Sequence, residues 1–276
     1  MARATARLFD AMAGDYDTLE PWYEHLYGVL HPLVTSELAP PRDGPRRRSL
    51  DAGCGTGFQT VLLEALGYES HGVDVASRLL ERARRRLRGS WLASGDLAAL
   101  PYRDASFDTA VCCGSTLSFV DDPPAALREL GRVLAPGGRL LLECEHHASL
   151  DLVWSLVSAL CGDPLAYGLS PAAAWRQLVQ RPRDGGLVEY PGYGTLRLFT
   201  RGELRALLRA AGLRPVRWWG IHAVTNVIPS TVLHRERLGR LTAALFRGLR
   251  AVDARLAGVS LVQRAANSLV VLAEKR

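Results

Sequence analysis

A glycine-rich corner between a predicted strand and a predicted helix constrains this chain more than any other feature. Residues 49–59 read SLDAGCGTGFQ: a short apolar run, the acid Asp51, and glycines at three alternate positions, Gly53, Gly55 and Gly57. Glycine accepts positive φ and lets a ligand approach with no Cβ in the way. The free amides of the helix that follows attract an anion. The corner therefore predicts a binding site for a nucleotide-like ligand.

The spacing of the glycines in the corner distinguishes between the candidate ligands. A dinucleotide fingerprint starting at Gly53 needs a glycine where Phe58 stands, and the sequence has no Gly-Lys-Ser/Thr of a P-loop. The stretch resembles motif I, acid-x-G-x-G-x-G, of the class I S-adenosylmethionine (SAM) dependent methyltransferases. The resemblance implies that the loop, with Cys54 between its glycines, holds the amino-acid end of SAM. Asp51 would supply the negative charge for the ammonium of SAM, and no metal is expected.

Further segments match this family at successive strand ends. Asp74 matches the acid that accepts both ribose hydroxyls, and Val75 would lie against adenine. Asp96 matches the residue that takes the adenine amino group, with the Leu97 amide nearby. Residues 130–140, LGRVLAPGGRL, are similar to the family signature L-x-x-V-L-x-P-G-G-x-L. These matches occur in the family order, so SAM is the cofactor that the resemblance implies.

Strand and helix patterns alternate after residue 46, which is typical of a parallel sheet. The resemblance implies an α/β fold: a Rossmann-like, seven-stranded, mostly parallel sheet flanked by helices, with helical lid insertions. Its last strand, predicted at 268–273, would run antiparallel between strands five and six. We divide the chain into an N-terminal helical cap (1–45), a SAM-binding core (46–146), a helical lid insertion (147–197), and the C-terminal part of the core (198–276) with an amphipathic helical insertion at about 229–266.

The regions outside the core carry their own predictions. Phe9 to Asp17 resembles the N-terminal segment of ubiquinone/menaquinone-type methyltransferases, where the tyrosine, here Tyr16, lies over the methionine end of SAM. Packing of an aromatic helix on the core is the alternative. Pro21 and Pro32 are expected to interrupt the N-terminal helix. The lid insertion is predicted to contain helices at 150–160 and around Trp175, and to end in a loop at 185–194.

Candidate catalytic residues follow from the sheet topology. Ligands of open α/β sheets lie beyond the carboxyl ends of the strands, and a base is needed only if the acceptor loses a proton. Glu145, His146 and His147 follow the fifth predicted strand and His222 follows the sixth. We expect the three histidines to be the candidate bases because histidine titrates near neutrality, although surface or core packing is the alternative. In relatives the backbone around Cys113 holds the amino group of SAM.

The composition of the chain limits the kinds of binding partner that we expect. The net charge of +6 comes almost entirely from arginine, with Lys275 as the sole lysine, which favours codon bias over nucleic-acid binding. The amphipathic segment at 229–266 is expected to pack its leucines on its own domain, with peripheral membrane contact as the alternative. Five scattered cysteines, no apolar stretch of membrane-spanning length and no secretion signal predict a cytoplasmic protein.

These features together predict a SAM-dependent methyltransferase that acts on a small molecule. The alternatives are an RNA methyltransferase and a SAM-binding protein without turnover. The sequence lacks an Asn/Asp-Pro-Pro-Tyr/Phe motif, which disfavours the first, and it keeps all three motif acids, which disfavours the second. The acceptor atom and the oligomeric state stay open.

Overall fold

A seven-stranded sheet forms the centre of the computed structural model, which describes residues 2–17, 21–40, 47–180, 186–190, 192–233 and 239–276. The strands are β1 (Arg48–Ala52), β2 (Glu69–Asp74), β3 (Trp91–Ser94), β4 (Phe107–Cys112), β5 (Leu134–Glu145), β6 (Leu187–Tyr190), β7 (Gly194–Arg197), β8 (Leu213–Ile221) and β9 (Ser268–Lys275). The large sheet has the order β3-β2-β1-β4-β5-β9-β8, and β9 runs antiparallel to both neighbours. The predicted fold class, including the place of the last strand, is confirmed.

Helices cover both faces of this sheet. They are α1 (Ala2–Met12), α2 (Pro21–Glu37), α3 (Phe58–Ala65), α4 (Ser77–Arg86), α5 (Pro123–Val133), α6 (Asp151–Leu160), α7 (Pro171–Gln180), α8 (Arg201–Ala210), α9 (Ser230–Leu233), α10 (Arg240–Leu256) and α11 (Ser260–Gln263). Alternate residues of β5 enter opposite cores, because Leu142 packs with α5 and α8 while Leu141 packs with α2 and α3. Burial of each such leucine contributes ~1.5–3 kcal/mol to the stability of the fold, which keeps the ends of the central strands in fixed positions.

Proline interrupts the N-terminal helices less than predicted. Pro21 begins α2, where a missing N–H costs nothing, whereas Pro32 lies inside that helix without ending it. Leu30 and Val34, on either side of Pro32, are fully buried in the core. Their burial offsets the lost hydrogen bond. Residues 40–45, PPRDGP, have the composition of a linker, and all of them except Pro40 lie outside the described part of the chain.

The lid insertion is only partly helical. Helices α6 and α7 appear as predicted, but the stretch expected to be a loop forms the antiparallel pair β6–β7, with Gly185 and Pro191 outside the described residues. Positive φ values at Gly192 (78°) and Gly194 (68°) allow the turn between these strands. Val188 and Leu196 are buried on one face of the pair. The glycines therefore serve a hairpin rather than an irregular loop.

The leucine stripe of α10 packs on its own domain only in part, because Leu249 contacts the buried cluster around Phe246 whereas other members of the stripe are exposed. Leu241 and Leu245 are 85% and 54% exposed, whereas Phe246 and Asp253 form the buried side of the helix. The Asp253 carboxylate accepts hydrogen bonds from the amides of Ala223 and Val224. An acid that binds a loop backbone therefore fixes the helix orientation together with Phe246 and Leu249. Leu238, at the start of the stripe, lies outside the described residues.

No helix in the described segments is long and apolar enough to cross a bilayer.

Candidate functional site

The glycine corner joins β1 to α3 and is fixed by backbone hydrogen bonds. The amides of Gly53 and Cys54 both donate to the Val73 carbonyl on β2, at 2.8 and 3.0 Å. Gly53 has φ of 78°, and a Cβ there would lie 2.3 Å from Cγ2 of Thr116. Alanine at this position would therefore clash as well as strain the backbone. At Gly55 the nearest atom to such a Cβ is 3.9 Å away, so this part of the loop borders open space.

Two acids at neighbouring strand ends are held by backbone amides. The carboxylate of Asp74, at the end of β2, accepts hydrogen bonds from Gly55 and Ala76, each at 2.8 Å. Asp96, beyond β3, accepts one from Ala98 at 2.9 Å. Each carboxylate oxygen has two acceptor positions, so both acids retain capacity for a ligand.

These elements enclose a cavity of about 300 Å³ at the carboxyl ends of the parallel strands. Nine of the residues predicted to bind the cofactor line it: Tyr16, Gly53, Cys54, Gly55, Asp74, Val75, Asp96, Leu97 and Cys113. A cleft at this edge is where open α/β sheets place their ligands. Its wall combines acids at one end with apolar side chains, which suits a nucleoside better than a chain of phosphates.

Asp51 and Gly57 are the two predicted cofactor residues that do not line this cavity. Asp51 is 1% exposed, and its Oδ2 accepts a hydrogen bond from the Thr60 hydroxyl at 2.6 Å. Burial, with a smaller effect from the Asp74 charge, raises the pKa of Asp51 to about 7. The central strand β1 is covered on both faces, which places this carboxylate beneath the loop. Asp51 therefore lies outside the cavity wall, and its supply of negative charge to the ammonium of SAM stays a prediction.

The three predicted histidine bases also lie away from the cavity wall. Nδ1 of His146 is 3.0 Å from the Ala266 carbonyl, and the His147 amide donates to the Phe199 carbonyl. His222 is fully buried with a φ of 56°, and its Nδ1 lies 3.1 Å from the Thr225 hydroxyl. All three follow strands whose ends are covered by the chain segments that come after them. None of the three histidines therefore lies on the cavity wall, and a histidine base stays a prediction.

Residues of the N-terminal cap complete the cavity. Thr5, Phe9 and Tyr16 line it, and the rings of Phe9 and Tyr16 meet edge to face at 6.2 Å. Asp10 accepts a hydrogen bond from the Arg78 amide at 2.8 Å, which caps α4 from outside that helix. The cap is therefore tied to the same helix that follows the Asp74 strand.

Asp17 forms a clasp between this cap and the glycine corner. Its carboxylate accepts from the Thr56 hydroxyl and from the Arg86 guanidinium, both at 2.7 Å. Arg86 also donates to the Thr56 carbonyl at 2.8 Å. Asp10 and Asp17 both lie in the segment from Phe9 to Asp17, whose resemblance implied a role only for Tyr16. Their alternation with the aromatics at Phe9 and Tyr16 was the available signal.

No cluster of three or more metal-ligating side chains occurs in the described parts of the chain. The described part of the site therefore consists of acids, backbone amides and an apolar wall.

Comparison with known proteins gives the family. Residues 50–142 match a family described as a methyltransferase domain. A malonyl-[acyl-carrier protein] O-methyltransferase of Serratia marcescens is 30% identical over 209 residues, covering 72% of this chain and 77% of the relative. One from Halorhodospira halophila is 40% identical over 144 residues, covering 50% of this chain and 47% of the relative. The chain therefore spans about half the length of this second relative.

Two further proteins extend the likeness. A demethylmenaquinone methyltransferase of Corynebacterium kroppenstedtii is 33% identical over 165 residues, covering 57% of this chain and 69% of the relative. The solved structure of a SAM-dependent methyltransferase from Thermotoga maritima aligns with a TM-score of 0.56 at 21% identity, covering 98% of this chain and 99% of the other, and shows the shared fold. The chain belongs to the class I methyltransferases, the family whose methyl donor is SAM.

Proposed function

We propose that this protein transfers a methyl group from SAM to a small-molecule acceptor. The single observation that carries the proposal is the cavity in which two strand-end acids, Asp74 and Asp96, face the glycine loop. Bound SAM supplies an electrophilic methyl group on a positively charged sulfur. The protein's task is then to orient the acceptor in line with that methyl group and to exclude water.

The cavity residues divide this task by position. Asp74, held by two amides, accepts the ribose hydroxyls, and Asp96 accepts the adenine amino group. Val75 and Leu97 supply apolar contact for the base. Tyr16 covers the methionine end from the cap, while Asp51 contributes its negative charge through the loop floor. This division follows the chemistry of each side chain and its place on the wall.

Labelled SAM tests the proposal. The protein is incubated with SAM labelled at the methyl group and a small-molecule extract of the source cells, and the labelled product is identified. The Asp74→Ala variant serves as the comparison, because it removes a carboxylate that the cavity needs while leaving the strand intact. We expect a labelled small molecule with the native chain and its loss with the variant.

Three other outcomes separate the alternatives. Label in RNA would indicate the rival RNA methyltransferase, and its binding would weaken steeply with salt. Tight SAM binding with no labelled product would indicate a SAM-binding protein without turnover. Absence of SAM binding would contradict the proposal itself. The malonyl and demethylmenaquinone acceptors named for the relatives are the first known compounds to add.

We further propose that α10 makes a peripheral contact with an anionic membrane surface. The outward stripe of Leu241, Leu245 and Val252 is exposed, and the guanidinium-bearing Arg247 and Arg255 lie exposed on the same helix. An interfacial helix has this arrangement, because its leucines enter the membrane interface while its arginines lie at the lipid headgroups. In a sedimentation experiment with vesicles of anionic lipid, the native chain should be recovered in the pellet with the vesicles. Equal recovery of a Leu241→Ser/Leu245→Ser variant would contradict this contact.

A further inference from the structure

Strand β5 ends in two acids on one face, Glu143 and Glu145, beside the turn that follows β4. Glu143 is fully buried and accepts a hydrogen bond from the Ser115 amide at 2.6 Å. The Ser115 hydroxyl donates to Glu145 Oε1 at 2.7 Å, and the side-chain amide of Asn267 donates to its Oε2 at 3.2 Å. One serine thus connects both carboxylates.

The turn that carries this serine is also a wall of the cofactor cavity. Cys113, Gly114 and Thr116 line the cavity, and Ser115 lies between them. Gly114 and Ser115 both have positive φ, 72° and 58°, an arrangement that a serine adopts rarely. The Glu145 amide also donates to the Ser118 hydroxyl at 3.0 Å. Glu145 is therefore hydrogen-bonded to the turn that lines the cavity, although it is not itself part of the cavity wall.

The electrostatics of this carboxylate are unusual for a structural acid. Its hydrogen-bond donors are neutral, and the charges that act on it, Glu143 and Asp151, are both acids. The buried phenol of Tyr190 also interacts with Glu145. Burial, followed by the Glu143 charge, raises the pKa of Glu145 to about 8, and burial also raises that of Glu143. Among the described residues, the charges that act on Glu145 are therefore acidic, and they add to burial in raising its pKa.

Asp253 shows what a structural buried acid looks like in the same molecule. It accepts hydrogen bonds from three consecutive amides, of Ala223, Val224 and Thr225, and from the hydroxyl of Thr225. Glu143 is similar, since amides of the turn and a serine hydroxyl bind it. Glu145 has two side-chain donors, remains partly exposed, and keeps acceptor positions open. It is the member of the pair that is available to a ligand.

We propose that Glu145 accepts the proton that the methyl acceptor loses, and that the acceptor is a hydroxyl or amine nucleophile rather than a carboxylate. This inference rests on the proposed function. In the step, the acceptor's X–H bond breaks and its proton goes to the Glu145 carboxylate. The X–CH3 bond forms as the methyl–sulfur bond breaks, and the electrons of that bond stay on sulfur, which becomes a neutral thioether.

The acceptor class follows from the charge of the pair. A carboxylate acceptor needs no base, and it would approach two acids that no cationic side chain in the described residues is shown to pair with. A phenol, enol or amine carries the proton that such a pair can take, and a base whose pKa lies near neutrality is suited to that transfer. The observations therefore favour acceptors with an X–H group.

The test has one arm that needs no acceptor. Infrared spectroscopy follows the carboxylic acid C=O band of the protein, bound to S-adenosylhomocysteine, as the pH rises from 6 to 9. We expect a band that disappears near pH 8 in the native chain and in Glu81→Gln, an exposed acid on α4, and that is missing in Glu145→Gln. No carboxyl band titrating near pH 8, or an unchanged band near pH 8 in Glu145→Gln, would overturn the proposal, whereas the Asp51 carboxyl, whose pKa is raised to about 7, is present in all three chains.

The second arm measures transfer from labelled SAM to paired phenols, amines and carboxylic acids. We expect transfer to the phenols or amines, a loss of about 100-fold in kcat for Glu145→Gln, and loss of the acidic limb of the pH–rate profile. SAM affinity should stay within about twofold of the native value. Preferred methylation of the acids, no transfer to any phenol or amine, or an unchanged kcat would overturn the inference. A native chain that fails to bind SAM would instead refute the proposed function.

Discussion

The two halves of the sheet edge are built differently. On the cofactor side, Asp74 and Asp96 are held by amides of residues two positions further along the chain, Ala76 and Ala98. On the side of β5, Glu145 is held by side chains 30 and 122 residues away, those of Ser115 and Asn267. A site made by local backbone hydrogen bonds leaves a pattern in the sequence, whereas a site made by distant side chains leaves none. The experiments below test each half in turn.

Adding one methyl group at Gly53 should have the largest effect. Gly53→Ala places a Cβ 2.3 Å from Thr116 and strains a residue with φ of 78°. We expect SAM affinity to fall by about 100-fold or more, equivalent to ~2.7 kcal/mol, as measured by calorimetry. The cause would be displacement of the loop from its place against β2.

Gly67→Ala is the matched control for that substitution. Gly67 also has positive φ, 93°, but a Cβ there meets nothing within 4 Å, and the residue lies outside the cavity wall. It should cost about 1 kcal/mol of stability and leave SAM affinity unchanged. Equal losses of affinity in the two variants would show that backbone strain alone matters.

Removal of the clasp should have the next largest effect. Arg86→Ala deletes the hydrogen bonds to Asp17 and Thr56 and the stacking of the guanidinium at 3.9 Å over the Phe58 ring. We expect about a 10-fold loss of SAM affinity, seen as faster dissociation in stopped-flow measurements, because the cap is no longer held closed. Arg85→Ala, an exposed neighbour on α4, should behave as the native chain. Identical rates for both variants would contradict a clasp.

The pH dependence of SAM binding tests the position of Asp51. Its pKa in the free protein is raised to about 7, and a cation above the loop would favour the charged form. Binding then releases a proton, so affinity should rise about threefold to tenfold between pH 6 and 8. Asp51→Asn should flatten this dependence. An affinity that falls over this range would contradict the sign of the linkage.

A substitution in the acid pair of Glu143 and Glu145 should have the smallest effect, and it tests the acceptor side of the site most directly. The pKa of Glu145 is raised in the folded protein, so its ionisation costs stability above the unfolded pKa, and the cost is complete above pH 8. Glu145→Gln should therefore raise the Tm by roughly 3–6 °C at pH 9 and less at pH 5. Lower stability of the variant at pH 9 would show that the carboxylate is stabilising.

The same contrast explains how much could be predicted from the sequence. The sheet order and the gathering of Gly55, Asp74 and Asp96 at one edge followed from strand-end motifs, because parallel strands bring their carboxyl ends together. The burial of Asp51 could not be predicted, because its motif records which residue stands there and not which atoms cover it. The histidines were expected at the site because they follow strand ends and titrate near neutrality. The burial of His146 and His222 and the partial burial of His147 depend on tertiary packing of the segments after β5 and β8.

The insertions were the least predictable part for the same reason. Glycines of the β6–β7 turn resemble those of a loop, and the outward leucines of α10 resemble those of a core-facing helix. The buried side of α10 is set by Asp253, whose partners lie 28 to 30 residues earlier in the chain. The local sequence pattern does not indicate a partner at that distance along the chain.

Calorimetric titration of the native chain with SAM and, separately, with NAD tests the central claim most directly. The account predicts one SAM site per chain in the cavity between Asp74, Asp96 and the glycine loop, with no heat from NAD. Saturable binding of NAD, or no binding of SAM, would contradict it.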